Sequence, residues 1–384
     1  MRVERALPTR EASDLLDLVQ TLVNREIAPR AAVDEERAAF PRDLFTRLGR
    51  AGLLGLPYPA DYGGGGQPYE VYLQVVEELA RGWLAVGLGV SVHTLACFPL
   101  AGYGAPDLRE ALLGDLIGGE LLGAYCLSEA DSGSDAAAMA TTATPVDGGY
   151  LVNGTKAWTT HGGVADFYTL FARTGGSGPG ARGISCLHVP ASTEGVSAAP
   201  PERKMGMASS PTASVRFDAA RVDGTALIGE RNRGFGIALA ALDSGRLGIA
   251  ACAVGVAQAA MDIAVDYARE RRQFDRPISE FQGVGFLLAD MATQVEAARE
   301  LYLAAARRRD LGQPFGARAA MAKLFASDTA MRVTTDAVQV LGGAGYTRDH
   351  PAERLMREAK ALQIVEGTNQ IQRMVINRHL DDRG

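Results

Sequence analysis

The order of apolar and polar positions divides the chain into three textures. Leu15, Leu16, Leu18, Val19 and Leu22 recur at helical spacing near the start. Pro41 stands just inside a second helix, read over Arg42 to Ala51, and Gly52 follows its end. The helical pattern returns over Tyr69 to Arg81 and around Asp107 to Leu116, so residues 11 to 121 read as helices. Near Leu122 the chain turns to Gly, Thr, Ser and Val in short alternating runs. Tyr150 to Val152, Tyr168 to Ala172 and Ser214 to Phe217 predict strands, and Asp147-Gly148-Gly149 and Asn153-Gly154 predict hairpin turns. Gly175 to Gly180 reads as a surface loop. From Gly234 helical spacing resumes to about Asp310, then from Pro314 to Leu341, and in two last helices on either side of Gly367. The predicted fold is α+β: an N-terminal helical domain over 1–122, a middle β-barrel or sandwich domain over 123–231, and a C-terminal helical domain over 232–384, with length and period for a four-helix bundle.

Composition narrows the classes. With 384 residues, 47% hydrophobic and 22% charged, the chain has enough apolar residues for several packed layers. A net charge of -6 argues against a nucleic-acid partner, which calls for a basic face. The apolar stretch from Gly236 to Val265 is broken by Asp243, Arg246 and Asp262, which predicts a buried helix and no membrane association. The first residues, Met1 to Arg5, lack an apolar run behind them, so a secretory signal is not expected and a cytoplasmic location is. Cys97, Cys126, Cys186 and Cys252 are scattered, as in a reducing compartment, and neither they nor the histidines show metal-ligand spacing; no metal site is expected.

Chemistry-bearing residues concentrate in a few segments. Gln363-Ile364-Val365-Glu366-Gly367-Thr368-Asn369-Gln370 sets one carboxylate after an apolar pair and before a glycine. Poor solvation raises a Glu pKa and makes it a proton acceptor near neutral pH, while Gly367 leaves the backbone open. Taken alone, such a Glu is most often part of a surface turn. Tyr125 to Asp135 ends a strand in a loop dense in hydroxyls and small residues, able to present Ser128, Ser134 and backbone N–H groups to a polar ligand; an ordinary Ser/Asp turn has the same composition. Asn153 to Thr160 holds Trp158, one of 2 tryptophans, next to threonines. A flat aromatic beside a hydroxyl suits one face of a planar cofactor, or simply a core. Gln339 to Tyr346 places glycines after a helix, which reads as a helix C-cap rather than a dinucleotide fingerprint. Arg271-Arg272-Gln273-Phe274, leading to Gln282, sets guanidinium groups beside an aromatic at a helix end, as a pyrophosphate contact or a solvated charge run does.

In this order and spacing, these segments resemble the acyl-CoA dehydrogenase family over nearly the whole chain. Ser128 to Asp135 matches the first signature of that family and Gln339 to Glu358 its second. The resemblance implies an FAD cofactor contacted by Tyr125, Leu127, Ser128, Trp158, Thr160, Thr368 and Gln370. It implies that Arg271, Gln273, Phe274, Gln282, Gln339 and Gly343 reach the FAD of a neighbouring subunit in a homotetramer, a dimer of dimers. Ser134, Asp243, Arg246, Gly367 and Arg378 match substrate-binding positions, although an ion pair between helices is the plainer reading of Arg246. Glu366 becomes the base that removes the alpha proton of an acyl-CoA thioester while a hydride leaves the beta carbon. Its backbone N–H helps polarise the thioester carbonyl, and the product is a trans-2-enoyl-CoA of fatty-acid β-oxidation. Some relatives carry the base at the position matching Gly245, which has no side chain for the task.

The chain departs from the family pattern in places. Ala130-Asp131 stand where Pro-Gly is frequent, Val365 where an aromatic is frequent, and Asp275 where Gly is frequent. Val365 opens space beside the alpha carbon. The segment Leu84 to Val92 is expected to line the acyl pocket; it is small, apolar and free of Arg, so a short or medium monocarboxylic chain is expected. The expected electron acceptor is an electron-transfer flavoprotein. The alternatives are an oxidase or an acyl-carrier-protein dehydrogenase on the same fold, or a binding protein without turnover.

Overall fold

The computed structural model describes residues 3, 5–175 and 180–381. Most of the Gly175–Gly180 loop therefore lies outside the described residues. The first helices are α1 (Arg10–Leu22), α2 (Ala28–Arg37), α3 (Arg42–Arg50), α4 (Tyr69–Gly82), α5 (Leu84–Tyr103) and α6 (Pro106–Ile117). Thr9 caps α1 by accepting the Ala12 N–H, and Pro41 stands one residue before α3 as its N-cap, outside the helix. Helix α5 escaped the periodicity argument because Leu84 to Cys97 are buried without interruption, so no polar face marks a period.

The middle of the chain supplies β1 (Gly123–Cys126), β2 (Thr142–Val146), β3 (Gly149–Thr160), β4 (Phe167–Arg173), β5 (Ile184–Pro190), β6 (Val196–Ala198), β7 (Thr212–Asp223) and β8 (Leu227–Ile228). They form one sheet in the order β6-β7-β3-β2-β4-β5-β8, with β1 parallel to β4. Asp147-Gly148 makes the predicted tight turn between β2 and β3. Asn153-Gly154 does not turn the chain. Gly154 is an irregularity inside β3, with φ 147°, where a Cβ would collide with Thr141. A turn dipeptide inside a long strand is thus explained by backbone crowding.

The C-terminal part holds α7 (Gly234–Glu270), the small hairpin β9 (Arg272–Gln273) and β10 (Arg276–Pro277), then α8 (Gln282–Asp310), α9 (Gly316–Leu341), the short α10 (Gly343–Tyr346), α11 (Ala352–Leu362) and α12 (Asn369–Asp381). Gly342 caps α9 with φ 61°, as the glycine run predicts. Helices α5 and α7 are long and apolar enough to cross a membrane by length and composition, but 89% and 83% of their most apolar windows are buried in protein. One apolar core joins α4, α5, α7, α8 and α9. At its edge Arg299 and Arg5 both reach the buried Glu77 carboxylate, each at about 3 Å, and Tyr302 donates to it, which ties the N-terminal segment to α4 and α8. The fold is α+β, as the texture of the sequence predicts.

Candidate functional site

Glu366 sits in the turn between α11 and α12. Its φ is 51° and that of Gly367 is 88°, so a left-handed non-glycine precedes a left-handed glycine. Such a residue persists only where its surroundings hold it, at a cost on the order of 1–3 kcal/mol. Several side chains hold it here. Gln372 Nε2 donates to the Glu366 and Gly367 carbonyls at 3.2 and 2.8 Å. Lys323 Nζ donates to the Gly367 carbonyl and to Asn369 Oδ1, both at 2.9 Å. Asn369 in turn donates to Asp328 at 2.7 Å. A Cβ on Gly367 would meet Gln372, so the glycine serves the turn itself as well as any ligand.

Both carboxylate oxygens of Glu366 are buried and without a hydrogen-bond partner. Burial pushes the pKa up to about 7, against the positive charges of Lys323 and Arg246. The flanking Ile364 and Val365 do not account for this desolvation. Ile364 is 55% exposed and Val365 only half-buried. The dry surroundings come from elements distant in sequence. Burial raises the pKa values of Tyr69 and Tyr72 on α4, Tyr125 on β1 and Cys252 on α7, and the nearby Glu366 charge adds to each.

Gly245 faces the carboxylate directly. A Cβ built there would overlap Glu366 Oε2 and lie 3.2 Å from Leu95. The two positions from which relatives are expected to supply the base thus meet at one point in space. A small pocket opens beside it, lined by Tyr58, Tyr69, Thr94, Leu95, Gly245 and Arg309, among others. Of the segment Leu84 to Val92, only Ser91 lines this pocket; the α5 contribution comes from Ser91, Thr94, Leu95 and Phe98. No Arg comes from that segment, but Arg309 of α8 does line the pocket, its guanidinium 3.7 Å above the Tyr69 ring.

A second group of residues lies on the β domain. Tyr125 donates to the Ala238 carbonyl at 3.3 Å and packs on Phe171. The carbonyls of Leu127 and Ser128 accept from Lys156 Nζ and the Ala157 N–H. Lys156, fully buried, also pairs with Glu129 at 2.8 Å, and the Glu129 carboxylate accepts the Ala140 and Thr141 N–H groups. Burial opposes ionisation of Glu129, but Lys156 and these donors prevail and hold its pKa below the ordinary carboxylate value. This pair fastens the Ser-rich loop to β3. Removing one member of such a pair strands the other charge at a cost of about 3–5 kcal/mol. Lys156→Met is therefore expected to lower the thermal midpoint, read by a thermal melt.

Trp158 is not a core residue. It lies at a bulge in β3 with φ 58° and is 61% exposed, while Thr159 is buried and Thr160 half-buried. The exposed ring rules out the core reading of Trp158.

The remaining predicted residues are placed as follows. Thr368 Oγ1 accepts the Ile371 N–H and so caps α12, and Gln370 is exposed beside it. Asp243 and Arg246 form an ion pair within α7, not between helices, with Arg246 buried near Glu366. Ser134 and Arg378 are exposed. Arg271, Gln273, Phe274 and Gln282 all lie on the exposed stretch from the α7 C-cap to the start of α8, where Phe274 and Phe281 pack at 5.9 Å; Gln339 and Gly343 are exposed at the end of α9. Residues that sequence reasoning missed are Lys323, Gln372 and Arg309. Lys323 left a readable signal, as a lone cation among Ala319, Ala322, Ala326 and Ala330 on the buried face of α9.

The chain is similar to known proteins along nearly its whole length. The chain matches the acyl-CoA dehydrogenase N-terminal domain over residues 9–120, the middle domain over 124–220 and the C-terminal domain over 232–380. It is 44% identical over 373 residues to an acyl-CoA dehydrogenase of Bacillus subtilis, covering 97% of this chain and 98% of that one. It is 39% identical to a short-chain specific acyl-CoA dehydrogenase of Clostridium acetobutylicum, covering 96% and 97%. Among solved structures it is similar to butyryl-CoA dehydrogenase from Megasphaera elsdenii, with a TM-score of 0.95, 39% identity and coverage of 98% and 100%. It is also similar to a chain in a structure on the electron transferring flavoprotein of Acidaminococcus fermentans, with a TM-score of 0.96, 40% identity and coverage of 98% and 99%. A further similar structure is PigA with FAD and proline, with a TM-score of 0.94, 26% identity and coverage of 100% of each chain.

Proposed function

This protein belongs to the acyl-CoA dehydrogenase family, and from that premise we propose that it converts an acyl-CoA thioester to the trans-2-enoyl-CoA with Glu366 as the alpha-proton base. The observation that carries the proposal is the Glu366 carboxylate: buried, without hydrogen-bond partners, and raised to about pKa 7 beside a pocket. An unpartnered carboxylate is costly to bury and gains nothing for the fold, but it is ready to take a proton near neutral pH.

FAD is the cofactor, and when bound it supplies the hydride acceptor for the beta carbon. Tyr125, Leu127, Ser128, Trp158 and Thr160 would hold it on the β domain, with Thr368 and Gln370 from the last turn. The uncovered, left-handed Trp158 fits a planar ring. Arg271, Gln273, Phe274, Gln282, Gln339 and Gly343 are exposed, as groups meant for a neighbouring subunit's FAD must be, which supports a homotetramer. Ser134, Asp243, Arg246, Gly367 and Arg378 are assigned to the substrate. As Glu366 takes the alpha proton, negative charge grows on the thioester oxygen. Its own backbone N–H is one donor to that oxygen, worth about 3 kcal/mol in the transition state. The tyrosines and apolar side chains around the carboxylate exclude water and so strengthen each of these interactions. Electrons pass on to an electron-transfer flavoprotein, in the cytoplasm.

The small pocket suits a short acyl chain, and Arg309 in its wall makes a distal carboxylate worth testing. The experiment is anaerobic titration of the yellow protein with straight, branched and dicarboxylic acyl-CoA thioesters. Rapid bleaching by a short straight chain is expected. Failure of every thioester to bleach the flavin would refute the reading, and stoichiometric peroxide in air would assign an oxidase instead.

A further inference from the structure

The proton-abstracting role of Glu366 leaves one nearby group unused. Lys323 projects from α9 into the core, is fully buried, and has nothing ionised within hydrogen-bonding distance: its two partners are the Gly367 carbonyl and the Asn369 amide oxygen, both at 2.9 Å. A buried ammonium held only by neutral oxygens is expensive. The alanines around it show that α9 could carry an apolar residue there without crowding. Its cost must be offset by something other than packing.

We propose that Lys323 is the positioning residue of the Glu366 base, gripping the left-handed Glu366–Gly367 turn from behind while placing a positive charge near the carboxylate. The proposal rests on the reading of Glu366 as the base. Two cations act on that carboxylate, Lys323 from α9 and Arg246 from α7, and they are not equivalent. Arg246 is already paired with Asp243 within its own helix, whereas Lys323 has no such partner. Asp328, on the turn of α9 that follows Lys323, adds a negative charge, but Asn369 and Gln363 donate to it and Arg373 of α12 pairs with it at 3.4 Å. Tyr69, Tyr72, Tyr125 and Cys252 also lie near the carboxylate and are held neutral by burial, and Arg309 lines the same pocket, stacked on the Tyr69 ring. Burial lowers the Lys323 pKa to about 8, against Glu366 and Asp328, so the amine is still mostly protonated as Glu366 ionises through about pH 7. Gln372 contributes the same kind of grip on the turn without the charge.

The two roles separate by substitution. Lys323→Met removes both grip and charge, and Gln372→Leu removes grip alone. Lys323→Met is expected to move the acid limb of kcat/KM to higher pH by roughly one to two units, because a carboxylate that loses a nearby cation protonates more readily. Gln372→Leu is expected to lower kcat with the limb unmoved. A readout without turnover accompanies these. At about pH 7.5, where Glu366 and Lys323 are both mostly ionised, Glu366→Gln should raise the thermal midpoint more in combination with Lys323→Met than in the wild-type background, whereas at pH 5 the two gains should match. An acid limb that stays in place in flavin-loaded Lys323→Met, or equal gains at about pH 7.5, would overturn the proposal. So would loss of FAD and folding in both Lys323→Met and Lys323→Gln, which would reduce Lys323 to a structural part. If Glu366→Gln retained full activity, the failure would lie with the base assignment instead.

Discussion

Glu366→Gln is expected to lower the rate of flavin bleaching by roughly 10³–10⁴, the scale of a lost general base, with FAD content unchanged. Gln has nearly the shape of Glu and keeps the turn, but its amide does not accept a proton at any working pH. The same substitution should stabilise the protein, and the pH dependence gives the sign. Burial raises the folded-state pKa of Glu366 to about 7, from an ordinary value of 4.5. The proton is therefore bound more tightly in the folded chain. Stability is complete below about pH 4.5 and is lost as pH rises through about 7, by a few kcal/mol at most. Gln does not ionise and escapes that loss. A melt at pH 8 should show a higher midpoint for the variant, and a melt at pH 5 little difference. Equal midpoints at both values would mean that the carboxylate is better solvated than its buried, unpartnered oxygens indicate. Lost activity together with gained stability is the expected mark of a residue kept for chemistry.

Much of this arrangement was legible in the chain, for identifiable reasons. The change of texture near Leu122 marks the sheet because strands alternate and helices do not, and Gly342 marks the end of α9 because the cap requires φ near 61°. Glu366 was legible only as a carboxylate in a suggestive setting. What desolvates it comes from α4, α7 and β1, and such tertiary burial leaves no trace in the neighbouring residues; exposed Ile364 shows how the local string misleads. Trp158 was ambiguous for a related reason. Scarcity and strand context suit a core as well as a cofactor face, and only the left-handed bulge and the exposure of the ring separate them. The bounds of α5 were not legible, although the whole stretch reads as helical, because a helix buried on every side loses its period. Arg309 was missed because the pocket was sought in one stretch of sequence, whereas its wall is assembled from several.

Gly245→Ala is expected to cost roughly a hundredfold in kcat or more, with little loss of stability. Glycine in the middle of a helix is ordinarily a liability, and alanine favours the helical backbone by about 1 kcal/mol. Gly245 lies within the long α7, with no left-handed φ to demand it. The reason for glycine is the space in front of it. The added methyl would occupy the position of Glu366 Oε2, and the atom it meets is the free end of a side chain rather than backbone, so Glu366 can yield without unfolding its surroundings. Yielding moves the carboxylate away from the alpha carbon, and a displacement of about 1 Å is enough to lose roughly two orders of magnitude in rate. The measurement is single-turnover bleaching beside a thermal melt. A slow, well-folded, yellow variant would show that Gly245 serves the reach of the base, whereas full activity would mean that the carboxylate has room to work elsewhere in the pocket. Gly248, one turn further along α7, offers a control, because a Cβ there meets Ser91 Oγ instead of the base. Gly248→Ala should disturb the α5 contact and leave the position of Glu366 intact, so the kcat loss at position 245 should exceed the loss at 248 although both sit in the same buried helix.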